Sequence, residues 1–118
     1  MTSIEIKKDE TREFNTVVLL IDGFEKGFFT VASEGLYAFR VEKVNIDTDL
    51  RGKGFYKMLI TAAFNIFNID TLRSSSRNYN SNPVYEYWCG QELANDDTVF
   101  IQLENETLVF TVDTYVED

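Results

Sequence analysis

The distribution of apolar and polar residues predicts three consecutive strands in the first part of the chain. The apolar run Phe14–Ile21 ends at Asp22-Gly23, a dipeptide typical of a tight turn. A second strand is predicted over Lys26–Ser33, and Glu34-Gly35 is expected to turn the chain into a third strand, Leu36–Ile46. Strands with such short connections form an antiparallel meander.

The pattern then changes to helical periodicity. The segment Lys53–Asn68 has no proline and no glycine after Gly54, and its polar residues recur at helical spacing on a broad apolar surface. A helix of this kind is expected to be largely buried against a sheet. Ser3–Lys7 is a candidate edge strand, whereas the charged residues Lys8–Glu13 are expected to stay exposed.

A strand, a helix and a hairpin are predicted after this first helix. Thr71–Ser76 is expected to return parallel to the third strand through a right-handed crossover. Ser81-Asn82-Pro83 opens a second helix that ends near Leu93. The strands Thr98–Leu103 and Thr107–Val112 then form a hairpin. The predicted fold is a single α/β (α+β) domain over residues 1–118, with a mixed, mostly antiparallel sheet and two main helices.

Composition limits the chemistry that this domain can perform. The chain has one cysteine and no histidine, which excludes an internal disulfide, imidazole bases, Ser-His-Asp triads and the usual zinc ligand sets, and no metal site is expected. No stretch is long enough for a membrane span and no signal peptide is evident, so we expect a cytoplasmic protein.

Charge is unevenly distributed along the chain. The formal net charge is −9, and residues 78–118 contain no lysine or arginine. The run from Arg51 to Lys57, in contrast, has three cations and no acid. A local basic site on an acidic protein suits a polyphosphate ligand better than a nucleic acid, which needs a wider positive surface.

The basic run itself predicts an anion site. Its residues Arg51-Gly52-Lys53-Gly54 join a strand to a helix, and a helix start presents unpaired backbone N–H groups to an anion. Glycine lets the backbone approach such a ligand closely. An ordinary strand-to-helix connection explains the same residues, and the spacing matches neither a P-loop nor a dinucleotide fingerprint.

The run Arg51-Gly52-Lys53-Gly54-Phe55-Tyr56 resembles the Arg/Gln-x-x-Gly-x-Gly/Ala signature of the GNAT acetyltransferases, and small phage-encoded GNAT-like proteins look similar here. The resemblance implies that acetyl-CoA binds, with the loop amides on its pyrophosphate. It also implies that Val44, Asn45 and Ile46 pair with the pantetheine arm and that Asn80 touches it, although a role in a turn explains this asparagine equally well. Tyr56 departs from the signature, which has a small residue there. The two helices that follow the first strand in the family have no room between Lys7 and Phe14.

The resemblance also implies catalytic residues. Glu42, nine residues before Arg51, matches the family's general base, although a solvent-facing residue paired with Arg40 or Lys43 is the alternative. Tyr87, or else Tyr85, is the candidate acid for the departing thiolate, although neither matches the family's spacing and packing against the core explains both.

Two functions remain open at this point. The first is acyl-CoA-dependent transfer of an acetyl group to an amine of a small molecule or protein, by direct attack on the thioester. The second is a catalytically degenerate, acidic binding or inhibitor protein, with a viral origin as one option. Neither function requires a membrane or direct nucleic-acid binding, and a homodimer is compatible with both.

Overall fold

Seven strands and one long helix follow the periodicity of the sequence in the computed structural model, which describes residues 2–74 and 98–113. The elements in chain order are β1 (Ile4–Lys8), β2 (Asn15–Ile21), β3 (Phe24–Gly35), β4 (Ala38–Ile46), a short 3-10 turn (Thr48–Leu50), α1 (Phe55–Phe67), β5 (Thr71–Arg73), β6 (Thr98–Glu104) and β7 (Thr107–Asp113).

The strands form one sheet whose spatial order is the chain order, β1 to β7. Neighbours are antiparallel except β4 and β5, which run parallel through the pairs that begin at Ala38–Thr71 and end at Arg40–Arg73. The predicted meander, the parallel fifth strand and the terminal hairpin are therefore confirmed. The predicted mixed, mostly antiparallel sheet is confirmed with them.

Turn chemistry explains where two of the hairpins reverse. Asp22 and Gly23 both have positive φ (52° and 86°), as a two-residue turn between twisted strands requires. Asn105 and Glu106 adopt the same type of conformation between β6 and β7. The turn predicted at Glu34-Gly35 is wrong. There β3 continues to Gly35, with Glu34 as an extra residue in the pairing to β4, and Leu36 and the following tyrosine make the turn.

The helix α1 packs on the first three strands, most extensively on β2. It ends at Asn68 in the left-handed conformation, a common helix stop. Its buried face and the inward-facing residues of the sheet make one core, whose fully buried members include Val17, Leu19, Phe29, Val31, Val41, Ile46, Leu59, Ile60, Leu72 and Ile101. The predicted buried helix is thus confirmed, although Ile66, placed on the apolar side by the sequence pattern, is exposed.

The opposite face of the sheet contains a small polar pair. Thr16 and Thr30 lie on neighbouring strands, are almost fully buried and have their hydroxyl oxygens 2.9 Å apart. The Thr16 hydroxyl is also 3.0 Å from the carbonyl of Phe14, to which it donates. Each hydroxyl is therefore satisfied without water, as buried polar groups must be.

The connection between β1 and β2 is short and contains no helix. Residues 9–14 link the two strands directly into a hairpin, which agrees with the expectation that no helix fits between Lys7 and Phe14. Arg12 in this connection is paired with Asp9 and Glu25 and lies over the ring of Phe28. In the part of the chain that the structure describes, no helix is long and apolar enough to cross a membrane. The second predicted helix, from Ser81-Asn82-Pro83 to Leu93, lies outside the described residues.

Candidate functional site

A short, tightly bonded turn connects the end of β4 to the start of α1. Asp47 donates its backbone N–H to the carbonyl of Lys26 (2.9 Å), and Leu50 donates to Asp47 (2.9 Å). The Arg51 side chain then reaches back, and its Nε donates to the carbonyl of Ile46 (3.1 Å). These bonds fix the position of the glycine segment that follows.

Both glycines of this segment adopt a backbone conformation that other residues avoid. Gly52 has φ +78° and Gly54 has φ +87°, and a Cβ at either position would meet no atom within 4 Å. Backbone strain, and not lack of space, therefore requires glycine at both positions. The open space beside each Cα is where a ligand could approach the backbone.

Gly54 is also the N-cap of α1, and glycine has no side chain to bond the first amides of the helix. Among the described residues, no acceptor is seen for the backbone N–H groups of Gly52, Lys53, Gly54 and Phe55. The side chains of Arg51, Lys53 and Lys57 are exposed around them. This loop therefore offers unpaired donors, the positive end of the helix dipole and cations at one place, which suits a phosphate group.

Tyr56, the residue that departs from the family signature, lies in the first turn of α1. Its side chain and that of Phe55 are half-buried and pack against the core. The tyrosine ring therefore helps to anchor the start of α1 on the sheet.

In the described part of the chain, the strand that leads into this loop has a paired neighbour on one side only along its second half. The parallel pairs of β4 with β5 stop at Arg40–Arg73, whereas β4 continues to Ile46. In residues 2–74 and 98–113, the second half of β4 is therefore paired only with β3. Val44 packs against the core, Asn45 is exposed, and the carbonyl of Ile46 is bonded by Arg51.

Glu42 lies near the start of this second half of β4. It is the extra residue of a β-bulge, because Thr30 pairs with Lys43 and Val31 pairs with Val41. Its carboxylate lies 3.2 Å from Nε of Arg40, and the side chain is 36% exposed. The pairing with Arg40 that the sequence left open is thus present, and the Glu42 side chain is still partly exposed.

A second ion pair lies next to the first. Arg73 pairs with Arg40 across the strands and donates hydrogen bonds to both carboxylate oxygens of Glu34 on β3. These bonds, and after them the charges of Arg73 and Arg40, lower the pKa of Glu34, while burial opposes them. The same hydrogen bond raises the pKa of Arg73. Two guanidinium and two carboxylate groups therefore lie close together on β3, β4 and β5.

The fold matches solved acetyltransferase structures over almost the whole chain. An IAA acetyltransferase from Bacillus cereus ATCC 14579 aligns with a TM-score of 0.57 and 14% identity, covering 90% of this chain and 93% of that one. A mutant of the toxin AtaT bound to the C-terminus of the antitoxin AtaR aligns with a TM-score of 0.54 and 14% identity, covering 95% and 92%. A Bacillus subtilis acetyltransferase in complex with CoA aligns with a TM-score of 0.51 and 13% identity, covering 98% and 100%.

The chain has the GNAT fold. No protein-family model matches the sequence, and no curated protein matches it. At identities of 13% to 15%, the structural likeness concerns the fold and leaves the ligand and the reaction to the site itself. The fold-level neighbours include structures that contain CoA and acetyl-CoA.

Several predicted site residues of this GNAT fold are brought together. The loop from Gly52 to Gly54, called the glycine loop below, lies at the start of α1, and Val44, Asn45 and Ile46 precede it at the end of β4. Glu42 lies on the same strand, four residues before Ile46. Tyr85, Tyr87 and Asn80 lie outside the described residues. Among the residues that are described, no group of three or more acidic or cysteine side chains could hold a metal ion.

Sequence reasoning missed the bulge at Glu42 and the pair between Arg73 and Glu34. Both depend on the register between strands, and Glu34 and Arg73 lie 39 positions apart in the chain. The residue pattern within one strand contains no signal for such a contact. Arg40 was considered only as a partner of Glu42, and that contact is present.

Proposed function

We propose that this protein is an acyl-CoA-dependent N-acyltransferase that transfers an acetyl group from acetyl-CoA to an amine. The observation that carries the proposal is the loop from Gly52 to Gly54, where two left-handed glycines lie at the start of a helix and no acceptor for the backbone N–H groups is seen among the described residues. In a GNAT fold this loop follows β4, whose second half is paired only with β3 in the described part of the chain. A donor with a charged pyrophosphate and an extended, amide-containing arm suits both features.

Each part of the site has a role in this proposal. The backbone amides from Gly52 to Tyr56 bind the pyrophosphate, and Arg51 and Lys53 add positive charge. The backbone of Val44 and Asn45 pairs with the pantetheine arm, since the carbonyl of Ile46 is already bonded by Arg51. Asn80 remains a further candidate for contact with this arm.

Glu42 is the proposed general base. As the amine attacks the thioester carbon, a C–N bond forms, the C–S bond breaks, a proton leaves the amine and a proton must reach the sulfur. The carboxylate of Glu42 accepts the first of these protons, directly or through water, and Arg40 positions it. Tyr87 or Tyr85 remains the proposed donor of the second. In this proposal the protein acts in the cytoplasm on a small-molecule or protein amine.

A binding measurement with charge variants tests the proposal. Isothermal titration should detect CoA binding to the unmodified protein, and Lys53→Glu should weaken it at least about tenfold because a charge-assisted contact becomes repulsive. Lys7→Glu on β1 is the matched control, because it makes the same charge change in an exposed ion pair with Glu5. An absence of binding at millimolar CoA, or equal losses in both variants, would refute the CoA site.

Catalysis is tested separately from binding. Glu42→Gln should keep the affinity for CoA and lower kcat for an accepted amine by about a hundredfold or more, since the base is lost and the shape is retained. Rescue of the rate at higher pH, where the amine is already deprotonated, is the expected signature of a lost base. Unchanged kcat in this variant would remove Glu42 from the mechanism.

A second candidate is an acidic binding protein that has the fold without the reaction. Two observations favour it: the net charge of −9 and the short, helix-free connection between β1 and β2. In this case a basic partner protein should bind with unchanged affinity to the Lys53→Glu variant. Turnover of any amine with acetyl-CoA would argue against this candidate.

A further inference from the structure

An open pocket of about 490 Å³ lies at the end of α1 that is remote from the glycine loop. The helix has 13 residues, so about 20 Å separates its two ends. The pocket is lined by residues from the last turn of α1, from the β3–β4 turn and from β6. It is therefore a different place from the proposed CoA site.

The lining combines an apolar surface with groups that accept hydrogen bonds. Phe64, Ile69 and Leu103 supply the apolar part. Asp70 supplies a carboxylate, and no ion-pair partner of Asp70 is seen in the described part of the chain. Tyr37, 53% exposed at the hairpin turn, adds an aromatic ring to the lining. Among the residues that the structure describes, no lysine or arginine lines the pocket.

The end of the helix adds further acceptors. The N–H groups of Asn68 and Ile69 both bond the carbonyl of Phe64. Those of Asp70 and Thr71 both bond the carbonyl of Tyr37, on the β3–β4 turn. The carbonyls of residues 65–67 are therefore left without a backbone partner among the described residues, at the negative end of the helix dipole. The amide side chains of Asn65 and Asn68 line the pocket beside them.

The charges near the pocket are negative, like that of Asp70. Leu103 is followed by Glu104 at the end of β6 and by Glu106 in the β6–β7 turn, and both side chains are exposed to solvent. The ammonium group of Lys8 lies 5.7 Å from the centre of the Phe67 ring at this end of the helix, and neither residue lines the pocket. The pocket thus combines a carboxylate, helix carbonyls, an aromatic ring and an apolar surface. This combination is complementary to a cation that is attached to an aliphatic chain.

We propose that this pocket binds an organic cation, a guanidinium or ammonium group attached to an aliphatic chain. The charged group lies at Asp70 and the carbonyl end of α1, and the aliphatic chain packs on Phe64, Ile69 and Leu103. Such a group occurs on small metabolites and on arginine or lysine side chains, and the chemistry of recognition is the same for both. The proposal does not depend on CoA binding, because it concerns the opposite end of α1.

The test uses n-butylguanidinium and its neutral isostere n-butylurea, titrated against the labelled protein by NMR. The cation should shift the side-chain amide signals of Asn65 and Asn68 in a saturable way, and the urea should bind at least about tenfold more weakly. N-acetylarginine methylamide forms a second arm. Binding of this probe as well assigns the site to a side chain, and binding of butylguanidinium alone assigns it to a small molecule.

Two variants separate a direct contact from the general field of an acidic protein. Asp70→Asn should weaken butylguanidinium by about tenfold, because a charge-assisted bond becomes neutral. Glu106→Gln removes the same charge from a neighbouring turn outside the pocket and should change the affinity by no more than about twofold in 0.15 M salt. CoA titrations of both variants should match the unmodified protein. Equal binding of cation and urea, or equal losses in the two variants, would overturn the proposal.

Discussion

Replacement of Gly54 by alanine should damage ligand binding more than it damages the fold. Gly54 has φ +87°, a region that costs an L-residue roughly 1–2 kcal/mol. Alanine also restricts the unfolded chain, which returns about 0.4–1 kcal/mol. Because the new methyl group meets no atom within 4 Å, no clash adds to this strain. The net loss of stability is therefore about 1 kcal/mol, or about 4 °C in Tm for a domain of this size.

Two other glycines provide matched controls. Gly23 has φ +86° with no atom within 4 Å of its Cβ, so Gly23→Ala should lose the same stability in a turn outside the proposed site. Gly35 has equal space and no positive φ, so Gly35→Ala should not be destabilised by strain. Comparison of the three variants thus separates the effect of backbone strain from that of the added methyl group, and both from the effect of a change at the proposed site.

The assay combines thermal melts with CoA titrations of all three variants. Gly54→Ala should bind CoA at least about tenfold more weakly, because its methyl group occupies the side from which the pyrophosphate approaches the amides. Gly23→Ala should bind CoA with the affinity of the unmodified protein, although its Tm should fall as much as that of Gly54→Ala. Should Gly54→Ala lose stability but retain full CoA affinity, the assignment of the loop as the pyrophosphate site is wrong.

Three further predictions concern the core and the ion pairs. Leu59 is fully buried, so Leu59→Ala should lower the unfolding free energy by about 2–5 kcal/mol in urea titrations. Thr16→Val should cost about 1–3 kcal/mol because it leaves the Thr30 hydroxyl unsatisfied, whereas Thr30→Val should cost less, since Thr16 keeps a carbonyl acceptor. The pKa of Glu34 is lowered from its ordinary value of 4.5, so ionised Glu34 stabilises the fold above pH 4.5, and this stabilisation is lost as the pH falls. Arg73→Gln should remove most of this pH dependence, which is measured as the urea midpoint of unfolding at a series of pH values.

Much of this fold could be predicted from local patterns in the sequence. A continuous apolar run located β2, strand-like residue patterns located β6 and β7, and the turn residues Asp22-Gly23 located the first tight reversal. Helical spacing located α1 to within two residues at its start and one at its end. These features depend on neighbours in the chain, which is why a sequence pattern reports them.

The errors and omissions concern contacts between distant segments. The strand β3 continues through Glu34-Gly35, where a turn was predicted, because Gly35 pairs with Ala38 of β4. Glu34 also accepts a hydrogen bond from Arg73, which lies on a strand much later in the chain. The pocket at the far end of α1 likewise assembles residues from a turn, a helix and β6. The glycine loop was predictable because one short segment contains all of its parts.

The identity between chain order and sheet order has a consequence for how the protein assembles. Among the seven described strands, none has to insert between two strands that are already paired. Each strand can add to the growing edge as it is synthesised, and β1 to β4 need only hairpin contacts to do so. The sheet can therefore grow strand by strand in the direction of translation, and at each stage the newest edge and the edge of β1 are the ones exposed to wrong partners.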